Sequence, residues 1–266
     1  MDLHWPVRRI RACGLVVSLV KHFPIKYDPS GRALLNLACG SLTDWTWNNL
    51  DFSPYATLRH HSWLAAALYR IGLLSLQRWH RLEEIDPDII RWNLANGIPF
   101  PDNSFDVVYH SHFLEHIDPP SARKFLLECH RVLKPGGTLR VVVPDLELLV
   151  NTYCEAIKQI QRGEITAQAA HQCAIYRLFD QMVRNGTSGA KEQKPWVRRI
   201  ERLIRGSAST CGETHRWMYD QYSLGRLLGE IGFEQVTVCG PKLGLEFDPD
   251  GRASKPNSLY LEAKRP

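Results

Sequence analysis

The chain has no closely spaced cysteine pair. Its seven cysteines, at positions 13, 39, 129, 154, 173, 211 and 239, stand singly and are odd in number. That argues against a disulfide framework and a thiolate zinc site, and it suits a reducing cytoplasm. No apolar run is long enough to span a bilayer. The run at 14–20 follows Arg8, Arg9 and Arg11, ends at Lys21 and lacks a small-residue cleavage site, and the run at 63–76 contains Arg70. Internal repeats and low-complexity tracts are also missing. Charge of one sign is scarce, because 33 Lys and Arg against 28 Asp and Glu leave a formal +5 and a pI near 8.8. The excess is local: between Ala190 and Arg216 seven basic residues face three acidic ones. Such a patch suits an acidic substrate or an anionic surface, although most charge runs are only solvated helix faces. It is confined and has no aromatic-rich recognition motif beside it, so no nucleic-acid partner is expected.

At 266 residues the chain fits one domain carrying an insertion, and it can bury a sizeable core. Residues 33–37 form a compact apolar run closed by Cys39 and Gly40, which reads as a buried strand followed by a turn. Residues 49–52 read as a second strand, 54–82 as helical, 85–92 as a third strand and 105–109 as a fourth. From Ser121 to Leu133 the apolar positions Ala122, Phe125, Leu126, Cys129, Val132 and Leu133 share one helical face. Asp118-Pro119 starts that helix and Pro135-Gly136-Gly137 stops it before a fifth strand at 139–143. Apolar strands alternating with helices imply an α/β fold with a doubly wound, mostly parallel sheet of seven strands, Rossmann-like in plan. After Pro144 the alternation lapses. Residues 146–160, 165–184 and 196–204 suggest three helices, the last with arginines opposite its apolar side, so 146–212 reads as a helical insertion capping the sheet. A helix at 221–231 and strands at 235–239 and 258–263 complete the single domain, 1–266.

In an open parallel sheet, ligands bind beyond the carboxyl ends of the strands, where the strand order reverses. The turn formed by Ala38, Cys39 and Gly40 falls at such a place, and Gly40 permits close backbone approach. Only one glycine of a G-x-G-x-x-G pattern is present. The few residues between Gly40 and Asp51, which include Trp45 and Trp47, leave room for a turn or two of helix at most. A dinucleotide would lose the helix N-terminus that holds its pyrophosphate. S-adenosylmethionine has no phosphate to lose. Asp51, ending the second strand, can accept both ribose hydroxyl protons, and as a plain turn residue it would instead cap Ser53-Pro54.

The chain resembles a known family through five segments in order: residues 35–40 (LNLACG), 49–54 (NLDFSP), 98–106 (IPFPDNSFD), 113–116 (FLEH) and 128–137 (ECHRVLKPGG). They are similar to the ordered motifs of class I S-adenosylmethionine-dependent methyltransferases, type 11 branch. Residues 215–220 (HRWMYD) and 227–233 (LLGEIGF) resemble a subgroup often linked to surface-polysaccharide synthesis. The resemblance implies that the backbone of Ala38, Cys39 and Gly40 meets the methionine moiety, that Asp51 meets the ribose and that Phe52 beside it belongs to the cofactor site. Asn93 and Leu94 would meet the adenine, and His110 would lie beside the sulfonium. Asn93 stands where the family commonly has aspartate, and Ala38 replaces a usual glycine.

Methyl transfer from a sulfonium needs alignment and exclusion of water more than strong catalysis. A hydroxyl acceptor also profits from a general base, most often histidine. His112, His116 and His215 are the candidates, with Tyr219, Asp145 and Glu147 flanking the insertion; for each of them a structural hydrogen bond is the competing reading. The expected acceptor is a small molecule or a saccharide of a glycan precursor, by family analogy alone. No metal is expected, although residues 112–116 match H-x-x-E-H, the signature of a zinc hydrolase in which two histidines share a helical face. A non-catalytic binding protein on the same fold is a further alternative. The helix at 196–205 could rest peripherally on an anionic membrane or close over the site as a lid.

Overall fold

The protein is described here by a computed structural model covering residues 23–52, 54–164, 166–182, 214–240 and 257–266. The apolar run at 14–20 and the arginine-bearing helix at 196–205, with its proposed membrane contact, lie outside the described residues.

Seven strands form one sheet: β1 (Leu34–Leu37), β2 (Asn48–Asp51), β3 (Ile90–Arg91), β4 (Phe105–Ser111), β5 (Leu133–Pro144), β6 (Glu234–Val238) and β7 (Ser258–Lys264). Their order across the sheet is β3-β2-β1-β4-β5-β7-β6. The first five in that order run parallel, whereas β7 is antiparallel to both β5 and β6. The sheet is therefore mixed rather than mostly parallel as expected. The departure lies at one edge, where β7 sits between β5 and β6 and runs opposite to both.

On one face of the sheet, Leu35, Leu37, Val108 and Val141 pack with Phe125, Leu126 and Cys129 of α4 (Pro119–Val132) and with Leu224 and Leu228 of α7 (Gln221–Ile231). Leu34, Val107, Tyr109, Val142 and Tyr260 line the opposite face around Trp47. The alternation along β4 thus feeds both faces, as a strand buried on both sides requires. Helix α4 forms where its periodicity places it. Asp118 accepts a hydrogen bond from the Ser121 N–H at 3.0 Å, a side-chain N-cap, and prolines occupy the first turn.

The segment read as helical over 54–82 consists of three short helices, α1 (Pro54–His60), α2 (Ser62–Arg70) and α3 (Leu76–Glu84). They pack around Ala65, Leu74, Leu82, Ile85 and Ile89. Gly72, at φ +74°, helps turn the chain between α2 and α3, and Ser75 caps α3. The expected third strand at 85–92 shrinks to two residues. Ile85 ends α3, and Asp86 turns the chain by accepting from the Asp88 N–H at 2.9 Å.

Helices α5 (Leu146–Gln161) and α6 (Ala167–Met182) follow β5 and pack against each other. Among the described residues no helix is long and apolar enough to cross a membrane. Among the described residues, Cys39, Cys129, Cys154, Cys173 and Cys239 form no disulfide.

Candidate functional site

Strand order reverses between β1 and β4, so the crevice beyond their carboxyl ends is where this sheet offers a ligand site. The turn leaving β1 opens directly on it. Ala38 and Gly40 both adopt left-handed backbone angles, at φ +52° and +57°. For alanine that conformation costs about 1–2 kcal/mol, so the surrounding structure must hold it in place. Part of that hold is Asp51. The Gly40 N–H donates to Asp51 Oδ2 at 2.8 Å, and the Cys39 N–H donates to the Leu50 carbonyl at 3.2 Å. A methyl group added at Gly40 would meet nothing within 4 Å. Gly40→Ala should therefore lose only the conformational term, about 1–2 kcal/mol, as a lower urea midpoint. An unchanged midpoint would mean that the left-handed turn is not maintained in solution.

No helix follows this turn. Residues 38–47 cross from β1 to its parallel neighbour β2 as irregular chain. Buried asparagines brace that crossing, a role that sequence reasoning missed. Asn36 Nδ2 donates to the Leu42 carbonyl at 2.8 Å. Asn49 Nδ2 donates to the carbonyls of Asp44 and Trp47 at 2.7 and 3.1 Å and to Asp86 Oδ2 at 3.0 Å. Amides on strands β1 and β2 thus replace the hydrogen bonds a helix would have made internally. The turn consequently offers no helix N-terminus for a pyrophosphate.

At the ends of β2 and β3 stand the other expected contacts. Asp51 is buried, whereas Phe52 beside it is exposed, with the Arg91 guanidinium 5.1 Å from its ring centre. The Trp92 N–H donates to the Asp51 carbonyl at 3.1 Å, which ties the two strand ends together. Asn93 caps a single 3-10 turn, Leu94–Asn96, by accepting from the Ala95 N–H at 3.0 Å. Leu94 packs partly into the main core. Ala38, Cys39, Gly40, Asp51, Phe52, Asn93 and Leu94 thus lie along the carboxyl edge of three adjacent strands.

His110 differs from the expectation for it. It pairs with Leu37 across β1 and β4, but its ring is wholly buried against Phe113 and Phe125 at 5.1–6.4 Å between centres. Neither ring nitrogen has a hydrogen-bond partner. It presents no surface to a ligand in this conformation. Burial lowers its pKa from 6.5 to about 4, against a smaller opposing effect of the Glu115 charge, so the ring is neutral at neutral pH.

The three candidate bases separate into one supporting residue and one pair. His112 has φ +50°, and residues Leu114–His116 make only a single 3-10 turn. The helix that would set His112 and His116 on one face does not form, which removes the geometry of the zinc-hydrolase reading. His112 Nε2 lies 3.0 Å from Ser258 Oγ, and its Nδ1 lies 3.1 Å from Glu115 Oε1. The latter contact lacks hydrogen-bond alignment, since neither oxygen of the fully buried Glu115 has a hydrogen-bond partner. It is an electrostatic contact. Burial pushes the Glu115 carboxyl up, but the adjoining His112 and then His116 outweigh it and leave the carboxyl below its usual range.

His116 and His215 come together with ring centres 4.8 Å apart. The Glu115 carbonyl makes this happen by accepting from the N–H groups of Arg216 and Trp217 at 2.7 and 3.2 Å. His116 Nδ1 donates to the Thr214 carbonyl at 3.3 Å, and His215 Nδ1 donates to the carbonyl of Gln181 at the end of α6. Tyr219 is buried nearby with no partner for its hydroxyl. Its pKa is raised to about 12, by burial first and then by the charges of Glu115 and Asp118. Asp145 and Glu147 stay on the flank, where they respectively cap α5 and accept from Gln221 Nε2 at 2.9 Å. A cleft of about 260 Å³ lined in part by Trp45, Arg59 and Asp86 contains none of these site residues.

Residues 74–141 match a family model described as a methyltransferase domain. The matched span carries β3, β4, the turn at Leu114–His116, α4 and most of β5, whereas the Ala38–Gly40 turn and Asp51 lie upstream of it. Two curated relatives are also similar. The phthiotriol/phenolphthiotriol dimycocerosates methyltransferase of Mycobacterium tuberculosis is 31% identical over 126 residues, which is 46% of this chain and 41% of that protein. The Aspergillus luteorubrus protein named "Probable methyltransferase ltbC" is 48% identical over 48 residues, 18% of this chain and 17% of that one. The chain therefore spans less than half the length of either relative. A SAM dependent methyltransferase from Archaeoglobus fulgidus aligns at 14% identity and a TM-score of 0.39, over 87% of this chain and 85% of that chain.

Proposed function

We propose that the chain is a class I methyltransferase that takes S-adenosylmethionine in the crevice at the carboxyl ends of β1, β2 and β3. One observation carries the reading. A left-handed turn at the strand-order reversal is fixed by a carboxylate, Asp51, with no helix behind it to hold a phosphate. The methyltransferase-domain match at residues 74–141 supports it independently. The backbone of Ala38, Cys39 and Gly40 would border the methionine moiety, Asp51 would accept from the ribose hydroxyls, and Phe52, Asn93 and Leu94 would border the adenine. His110 would back this pocket from within the core without touching the ligand.

The acceptor is a hydroxyl of a small molecule or of a glycan precursor. Its oxygen lone pair forms the new C–O bond as the C–S bond breaks, the sulfonium leaves as a neutral thioether, and the hydroxyl proton passes to a base. His116 and His215 are the histidines brought together at this edge, and His112 steadies Glu115 beside them. Helices α5 and α6, the described part of the insertion, would cap the acceptor side. The contact from Gln181 at the end of α6 to His215 ties that cap to the cluster.

A labelled-methyl assay across sugar nucleotides, glycolipids and small phenols tests the reading. Transfer to at least one hydroxyl class, with release of adenosylhomocysteine, is expected. Saturable binding of adenosylhomocysteine without turnover on any acceptor would reduce the protein to a binding scaffold.

A further inference from the structure

We infer that Glu115, His116 and His215 form a binding site for one divalent transition-metal cation. One ligating atom from each residue lies within 4.8 Å of the other two. A first-row cation holds histidine nitrogens and carboxylate oxygens at about 2.0–2.2 Å, so the three donors need to close by only about an ångström to share one. Side-chain rotation can supply that without moving the backbone.

The protonation pattern suits a ligand set. A carbonyl oxygen only accepts, so the bonds from His116 Nδ1 to Thr214 and from His215 Nδ1 to Gln181 place a proton on each Nδ1. In each neutral ring that makes Nε2 the lone-pair nitrogen. His116 Nε2 is the atom that faces the carboxylate, 4.0 Å from Glu115 Oε1. Metal-binding histidines are characteristically oriented in this way, by donating the other ring N–H to a carbonyl or carboxylate. His112 plays the outer role toward the carboxylate, at 3.1 Å from the same oxygen.

A second, independent observation points to something missing between these groups. Glu115 is wholly excluded from solvent, yet neither of its oxygens receives a hydrogen bond, and the buried Tyr219 hydroxyl is also unpartnered. Burying an ionised carboxylate is expensive unless a cation or several donors compensate it. His112 and His116 favour the charged carboxylate from the side, yet both oxygens are left without a hydrogen bond, and a bound cation would engage them. Two imidazoles and one carboxylate, with no thiolate, select a borderline cation such as Zn²⁺, Fe²⁺ or Co²⁺ and leave positions open for water or a substrate oxygen. At this edge the cation would polarise an acceptor hydroxyl, a role that rests on the methyl-transfer reading. The binding itself does not rest on it.

Cobalt provides the direct test. Metal-stripped full-length protein titrated with Co²⁺ should take up one equivalent and develop the visible absorption of a low-coordinate site. Calorimetry with Zn²⁺ should give the same stoichiometry. Removing one of three ligands by His215→Ala should abolish the band and weaken Zn²⁺ binding by more than about tenfold. The exposed His80→Ala control should change neither. If His215→Ala fails to fold, His116→Gln gives the same readout, and loss of the band again supports the site. No stoichiometric uptake by the unaltered chain, or a band that survives His215→Ala or His116→Gln, would overturn the assignment. Because these readouts need no methyl acceptor, the site can stand or fall separately from the enzymatic reading.

Discussion

Replacing Asp51 with alanine is expected to weaken adenosylhomocysteine binding by about a hundredfold. A carboxylate that accepts from two ribose hydroxyls makes two charge-assisted hydrogen bonds, each contributing about 1.5 kcal/mol or more. Losing both removes about 3 kcal/mol, and every 1.4 kcal/mol is about tenfold in Kd. Asp51 also accepts from the Gly40 N–H at 2.8 Å, so the alanine variant loosens the turn as well. Asp51→Asn separates the two effects, because the amide oxygen can still accept from Gly40 while the charge is gone. It should fall between the wild type and Asp51→Ala. Calorimetry on all three proteins checks the order, and equal affinities would remove Asp51 from the ligand site.

Acid should destabilise the protein through His110. Its pKa falls from 6.5 to about 4 on folding because the ring is buried. Above pH 6.5 the ring is neutral in both folded and unfolded states, and it adds no pH dependence. Below that value the unfolded chain takes up the proton first, so stability declines until about pH 4, where the folded ring protonates too. A displacement of this size corresponds to about 3 kcal/mol lost across the window. His110→Phe keeps a ring between Phe113 and Phe125 and has no proton to gain. Urea unfolding of both proteins from pH 7 to pH 4 should show the difference in stability between them shifting by that amount in favour of the variant. Parallel pH profiles would show that the ring is not buried neutral.

These effects depend on features that the sequence discloses unevenly. Helix α4 was legible because three signals agree there: the Asp118 cap, the prolines after it and an unbroken apolar stripe. The turn at Ala38–Gly40 was legible because a glycine after a short apolar run has few other uses. The third strand was overdrawn because Ile85 and Ile89 are as apolar as strand residues, yet both pack against helices α1–α3 instead. The break between α2 and α3 at Gly72 was likewise overridden by the apolar residues on either side of it. The antiparallel course of β7 was hidden because a short, buried strand reads alike in either direction.

The site was less legible than the fold for a physical reason. His116 and Thr214 are 98 positions apart, and what joins their neighbourhoods is a backbone carbonyl, that of Glu115. Nothing in the spacing of side chains announces such a contact. The H-x-x-E-H pattern pointed to the right residues with the wrong geometry. It assumes a helix, whereas His112 is left-handed and Leu114–His116 is a lone 3-10 turn. Glu115 therefore turns inward beside His116 and meets His215 in place of a helical His112–His116 pair. Asn36 and Asn49 gave no signal at all, because a strand asparagine reveals its role only when the loop it braces is seen.

Parallel calorimetric titrations of the full chain with adenosylhomocysteine and with a nicotinamide dinucleotide measure directly which cofactor the Ala38–Asp51 crevice admits. Saturable, one-to-one uptake of adenosylhomocysteine with no heat from the dinucleotide is the predicted result. Uptake of the dinucleotide with adenosylhomocysteine ignored would contradict it.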